Sequence, residues 1–223
     1  QYGSDAISGV VNIRLRTDRT GGEATVSYGA RESEYDIVAS PTPAGATWSA
    51  PSSRKRSDGE TLTGSMWKGL TLGENGHLTL AAEVKDQKRT ERGGWDFRQQ
   101  YPLVNGAFDP REATIDRFNA WYGEPEMEQA TIFANAGYNL GNNVKLYGWA
   151  SYQKRDARSA GFFRRALQDQ NIISIYPNGY LPIIAPAVDD YSATGGVSWI
   201  MGEWDMDASL GYGKNKMQFT IEN

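Results

Sequence analysis

Alternation of polar and apolar side chains with a period of two runs through most of this chain and predicts strands near 22–32, 60–72, 77–90, 128–140, 143–157, 190–201 and 204–218. The clearest is the last. There Trp204, Met206, Ala208, Leu210 and Tyr212 alternate with Asp205, Asp207, Ser209, Gly211 and Gly213, so that one face suits an apolar medium and the other stays wet. Leu78, Leu80, Ala82 and Val84 form a second apolar row, and Ile132, Ala134, Ala136, Tyr138 and Leu140 a third. Two places break the pattern. Trp67 falls on the polar phase of its strand and Lys68 on the apolar one, and Tyr147 and Trp149 oppose Val144, Leu146 and Ala150. Either a bulge resets the phase, or these aromatics share the polar face.

The connections alternate short and long. Gly73-Glu74-Asn75-Gly76, Gly141-Asn142-Asn143 and Gly202-Glu203 read as tight turns. The segments 33–59, 91–127 and 158–189 are each roughly 25 to 40 residues long, and compact domains seldom hold three such loops. Outer-membrane barrels do hold them, because turns on the periplasmic side are short and loops on the outer side long. Trp204 beside a short turn, with Tyr138 and Trp199 near their strand ends, is placed as a periplasmic aromatic girdle would be.

Residues 3–13 carry the most specific signal: Gly3, Ser4, Asp5, Ala6, Ile7, Ser8, Gly9, Val10, Val11, Asn12 and Ile13. Physically this is a turn followed by a strand, since Gly3 and Gly9 admit conformations closed to other residues, and Val10, Val11 and Ile13 favour extension. The string resembles the closing segment of the plug domain of TonB-dependent outer-membrane receptors, just ahead of the first barrel strand. The resemblance implies an all-β fold: an antiparallel transmembrane β-barrel fragment of about seven sequential strands preceded by the last strand of a plug. Residues 1–20 would be the plug remnant and 21–223 the first part of a wall that in the family has about 22 strands. The chain opens inside the motif without an initiator Met or signal peptide, so a fragment of a longer protein is expected. Residues 158–165 and 175–182 also resemble a loop found in a large subgroup of these receptors, with no substrate attached to that likeness.

The composition fits this frame. Seven Trp, twelve Tyr and 25 Gly suit a β protein with many turns and interfacial aromatics. No run approaches the ~20 apolar residues of a spanning helix. A mean hydropathy of -0.59 is compatible with strands that are apolar on one face only. The net charge of -4 and pI near 5.2 supply no basic field for nucleic acid. The lack of Cys removes thiolate metal sites, disulfides and Cys nucleophiles.

Candidate chemistry is sparse, and no enzyme and no cofactor is implied. His77, the one His, falls in a predicted turn and reads as an exposed turn residue, without the Ser neighbour that a barrel hydrolase requires. Asp189-Asp190 and the pair Asp205 and Asp207 read as solvated carboxylates rather than calcium ligands. Arg54-Lys55-Arg56 reads as part of a solvated loop, with lipopolysaccharide phosphate as its alternative contact. Trp95, Phe97, Arg98 and Tyr101 in the second long loop, and Arg158, Phe162, Phe163, Arg164 and Arg165 in the third, mix arginine with aromatics. Such a mixture suits capture of a bulky anionic ligand, or else loop packing.

The resemblance implies an active-transport receptor of the cell outer membrane of a Gram-negative bacterium, driven through TonB, whose contact segment precedes this chain. The commonest cargo of the family is a ferric siderophore, with cobalamin, other chelates and glycans as alternatives. Its surroundings would be outer-membrane lipid and lipopolysaccharide. A soluble β-rich carbohydrate-binding module and a passive outer-membrane pore are the competing readings.

Overall fold

The computed structural model describes residues 13–223, so the motif residues 3–12 lie outside the described residues. Seven strands form one antiparallel sheet in strict sequence order: β1 (Gly22–Asp36), β2 (Ser53–Leu72), β3 (Gly76–Gln87), β4 (Glu126–Gly141), β5 (Val144–Ala160), β6 (Ile183–Met201) and β7 (Trp204–Glu222). The sheet is open, with β1 and β7 at its edges. Among the described residues the one helical element is a 3-10 turn at Pro110–Ala113, and no helix is long and apolar enough to cross a membrane.

All seven expected strands are present, but most run further at the loop end. β1 reaches Asp36, β2 starts at Ser53 and β6 at Ile183. The first and third long connections therefore shrink to 37–52 (L1) and 161–182 (L3), whereas the second keeps its length at 88–125 (L2) because β3 ends early at Gln87. These extensions escape a periodicity reading because they rise beyond the apolar stretch, where both faces carry polar or charged residues such as Arg54, Lys55 and Arg56.

Pairing fixes the faces. One row across the sheet runs Lys68, Leu80, Ala134, Ala150, Ala193, Tyr212, and the next towards the short turns runs Leu70, Leu78, Ala136, Gly148, Gly195, Leu210. Lys68 is the one charged residue in these two rows. It remains on the apolar face, where a Lys stem can lie along apolar surface with its ammonium extended outward. Nothing covers this face among the described residues: Leu210 is 82% exposed, Val26 76% and Trp204 72%. A sheet in water would bury such a face against a second layer.

The apolar band is also slanted. On β1 its last member towards the loops is Tyr28, whose row continues through Leu62, Asp86, Glu128, Asp156 and Ala187 to Gln218 on β7. On β7 the band has already ended at Tyr212. The band therefore steps towards the short turns from β1 to β7, a stagger between successive strands. Along β2 the band runs from Leu62 to Leu72, about 33 Å at ~3.3 Å per residue, and along β7 from Trp204 to Tyr212, about 26 Å. At the ~40° tilt of a barrel strand these lengths would correspond to a band roughly 20 to 25 Å tall.

The opposite face is polar, and both phase anomalies belong to it. β2 pairs with β3, and β5 with β6, without a register shift at Trp67, Tyr147 or Trp149, so no bulge returns these aromatics to the apolar side. Tyr147 stacks on Trp149 at 5.8 Å and donates to Asp207 at 2.7 Å. The one irregularity between β1 and β2 lies between Gly29 and Arg31. There Gly59, at φ +68, inserts an extra residue that reverses the phase of β2. Arg54, Arg56 and Asp58 consequently pair with Tyr35, Ser33 and Arg31 on the polar side.

Candidate functional site

The most enclosed part of the molecule is the cap where L1, L2 and L3 gather, and polar residues dominate it. Gln100, Arg117, Tyr101 and Glu112 are each at most 2% exposed. Arg117 organises the cap: its guanidinium donates to the carbonyls of Asp96 (2.8 Å), Arg98 (2.9 Å) and Glu112 (3.1 Å). It also donates to the Glu112 carboxylate at 2.5 Å and lies 4.2 Å above the Trp48 ring. The second carboxylate oxygen of Glu112 accepts from the amides of Gln100 (2.7 Å) and Tyr101 (2.9 Å). A buried ion pair survives only when its remaining hydrogen-bonding capacity is met, and here backbone groups of L2 meet most of it.

Contacts between loops extend the cap. Trp48 of L1 donates through Nε1 to the Phe97 carbonyl at 3.3 Å and meets Phe108 edge-on at 5.0 Å. Tyr101 donates to the Asn178 side chain at 3.1 Å, and Arg165 donates to the Gln99 carbonyl at 2.7 Å. A second cluster ties L2 to the sheet. Arg54 and Arg56 approach Glu91 at 3.2 and 2.8 Å, Arg92 approaches Asp58 at 2.8 Å, and Arg54 lies 3.8 Å from the Phe118 ring centre. The expectation of a solvated Arg54-Lys55-Arg56 loop is thereby corrected: these residues belong to β2, and the bulge at Gly59 turns the two arginines onto buried carboxylates. Lys55 alone points to the other side and reaches Glu34 at 3.3 Å.

The candidate ligand residues divide. Trp95 packs edge-on against Phe118 at 5.3 Å, Phe97 supplies its carbonyl to Trp48, and Tyr101 is buried beneath Arg111, 4.1 Å from its ring centre. Arg98 forks onto Asp96 through Nε and Nη2, both at 2.8 Å. Burial alone would raise the Asp96 carboxyl, but the side-chain and backbone hydrogen bonds of Arg98 outweigh it and hold the group at about 2. Burial, reinforced by the charge of Arg98, pushes Arg165 down. Arg158 lies within β5 rather than in a loop, and pairs with Glu222 at 2.6 Å. Phe163 covers Gly179, and Arg164 bridges to Tyr180 through its backbone. Phe162, 69% exposed, remains the freest aromatic of the set.

Three of the four arginines nominated for anion capture, Arg98, Arg158 and Arg165, are thus occupied by carboxylates or a carbonyl. They hold the cap and the strand ends together. Sequence reading missed Trp48, Gln100, Glu112 and Arg117, which carry no periodic signal. The only local sign is Asp109-Pro110, where the Asp109 side chain accepts from the Arg111 amide and starts the 3-10 turn that positions Glu112.

Elsewhere on the sheet, three of the four carboxylates considered as cation ligands accept from neighbours, Asp207 from Tyr147 as above. Asp189 accepts from Tyr152 at 2.9 Å and Asp190 from Asn215 at 3.2 Å. Among the described residues no group of His, Asp and Glu gathers in metal-binding geometry. His77 is the second residue of β3 and is half-buried over Gly137, not an exposed turn residue. Comparison with protein-family models, with curated proteins and with solved structures finds no match.

Proposed function

We propose that this chain is the first part of the wall of a TonB-dependent outer-membrane receptor, with the short turns periplasmic and the L1–L3 cap outside the cell. The observation that carries this reading is the uncovered, slanted apolar band, bounded by Trp204 and Trp199 near the turns and by Tyr28, Tyr152, Tyr191 and Tyr212 towards the loops. A band of this height, apolar on one face and flanked by aromatic girdles, matches what lipid requires of a barrel strand. The opposite face is lined by Thr63, Ser65, Thr131, Gln153, Ser192 and Thr194, as a wet or plugged lumen requires. The competing soluble carbohydrate-binding module leaves that uncovered band without a purpose. The open edges at β1 and β7 would be closed by further strands of the longer protein, since unpaired edges invite aggregation.

The transported solute would be bound at the outer side and moved inward with energy supplied through TonB. A ferric siderophore is the family's commonest cargo and the first probe to use. The test is uptake of radiolabelled ferric siderophores by cells expressing the full-length protein, with and without TonB. Uptake that needs both supports the proposal; uptake independent of TonB indicates a passive pore, and a full-length protein that fractionates as soluble contradicts it.

A further inference from the structure

Residues 14–21, ahead of β1, cross the polar face of the sheet as a strap, and the side chains that hold it come from three strands. Asn135 of β4 donates to the Arg16 carbonyl at 2.5 Å. The Thr79 hydroxyl of β3 lies 3.3 Å from the Arg16 carbonyl and 3.4 Å from that of Asp18, and Thr71 of β2 donates to the Arg19 carbonyl at 3.0 Å. In return Arg19 donates to the carbonyls of Gly73 and Glu74 in the first short turn, at 3.2 and 2.6 Å. The Arg16 guanidinium sits 4.3 Å over the Trp67 ring, which explains an aromatic that the alternation had left on the wrong phase.

Two features mark this as a fitted path rather than a loose crossing. The donors from the sheet all bond backbone carbonyls, so they fix where the strap runs whatever its side chains are. Thr79 and Asn135, only 5% and 6% exposed, are polar groups that need those partners when buried. Gly69 completes the fit: its amide donates to the Gly21 carbonyl at 3.1 Å, and a Cβ there would lie 2.6 Å from the carbonyl oxygens of both Asp18 and Thr20. Any other residue at 69 would push the strap off the wall.

We propose that residues 16–21 are a permanent part of the wall, staying docked on β2–β4 when TonB acts on the protein. The solute's path then does not run between the strap and these strands. This inference rests on the receptor reading for its function but not for its geometry. The experiment uses the full-length protein in lipid nanodiscs, spin-labelled at Thr17→Cys and at Glu203→Cys in the β6–β7 turn, with distances read by pulsed paramagnetic resonance. One narrow distance, unchanged by excess periplasmic domain of TonB, is expected; a second, longer population on adding that domain would overturn the proposal. In the same labelled background, Thr79→Val with Asn135→Leu should broaden the distribution, and an unchanged width would show that these bonds do not hold the strap. Binding of the TonB domain is measured in parallel. Its absence sinks the receptor reading, while the width comparison still decides whether the strap is anchored.

Discussion

Replacing Arg117 with Met is the sharpest perturbation of the cap. The guanidinium is 1% exposed, donates to three carbonyls and one carboxylate, and covers Trp48. Met fills a similar volume but leaves the three carbonyls without their donor and Glu112 as a buried charge without its cation. Truncating one side of such a pair costs about 3 to 5 kcal/mol, which multiplies the opening equilibrium of the cap roughly 10²- to 10⁴-fold. The assay is amide hydrogen exchange of the full-length protein in detergent. The amides of Gln100 and Tyr101, bonded to Glu112, should lose protection, while those of the β3–β4 ladder should not. The double variant Arg117→Met with Glu112→Gln removes both charges and should recover part of the loss. Unchanged exchange at Gln100 and Tyr101 in Arg117→Met would refute the view that this pair organises the loops.

Three further outcomes follow from the same geometry. Asp96 is depressed from 3.8 to about 2, so it contributes about 2 kcal/mol to the cap that is fully present above pH ~4 and lost as pH falls through ~2; exchange of L2 measured against pH should rise in that window, and Asp96→Asn should remove the dependence. On the proposed receptor reading, Leu80→Lys, in the middle of the apolar band, should cost about 2 to 4 kcal/mol of stability in lipid, whereas Ser209→Lys on the polar face should stay within about 0.5 kcal/mol, both read by urea unfolding in bilayers. Gly59→Ala should strain the bulge, where φ is +68 and a Cβ would meet the Thr90 methyl at 2.6 Å; the expected loss is about 1 to 3 kcal/mol, detected as faster proteolysis at the base of L2.

The strands were legible because their chemistry repeats: one face of β7 or β3 is apolar at every second residue, and Gly-rich turns mark where three of the six connections fall. Their loop-end extensions were not, because above the apolar band the alternation stops while the ladder of backbone bonds continues. The facing of Trp67 and Trp149 could not be chosen from alternation alone. It follows from pairing partners far away in sequence, and for Trp67 from the strap that supplies Arg16. The cap was the least legible part. Aromatic and arginine content drew attention to Trp95, Arg98 and Tyr101, but the same side chains serve internal packing and external capture. Which of the two they do depends on partners such as Glu112 and Asn178 for Tyr101, and Phe118 for Trp95, that only the fold brings near.

Lipid contact along β7 tests the central claim most directly. Single cysteines at residues 204 to 213 of the full-length protein, each carrying an environment-sensitive fluorophore, are reconstituted in bilayers containing brominated lipid. The account predicts strong quenching at Trp204, Met206, Ala208, Leu210 and Tyr212 and weak quenching at Asp205, Asp207, Ser209, Gly211 and Gly213. Equal quenching at both sets, quenching of the odd positions instead, or a protein that never enters the bilayer would contradict it.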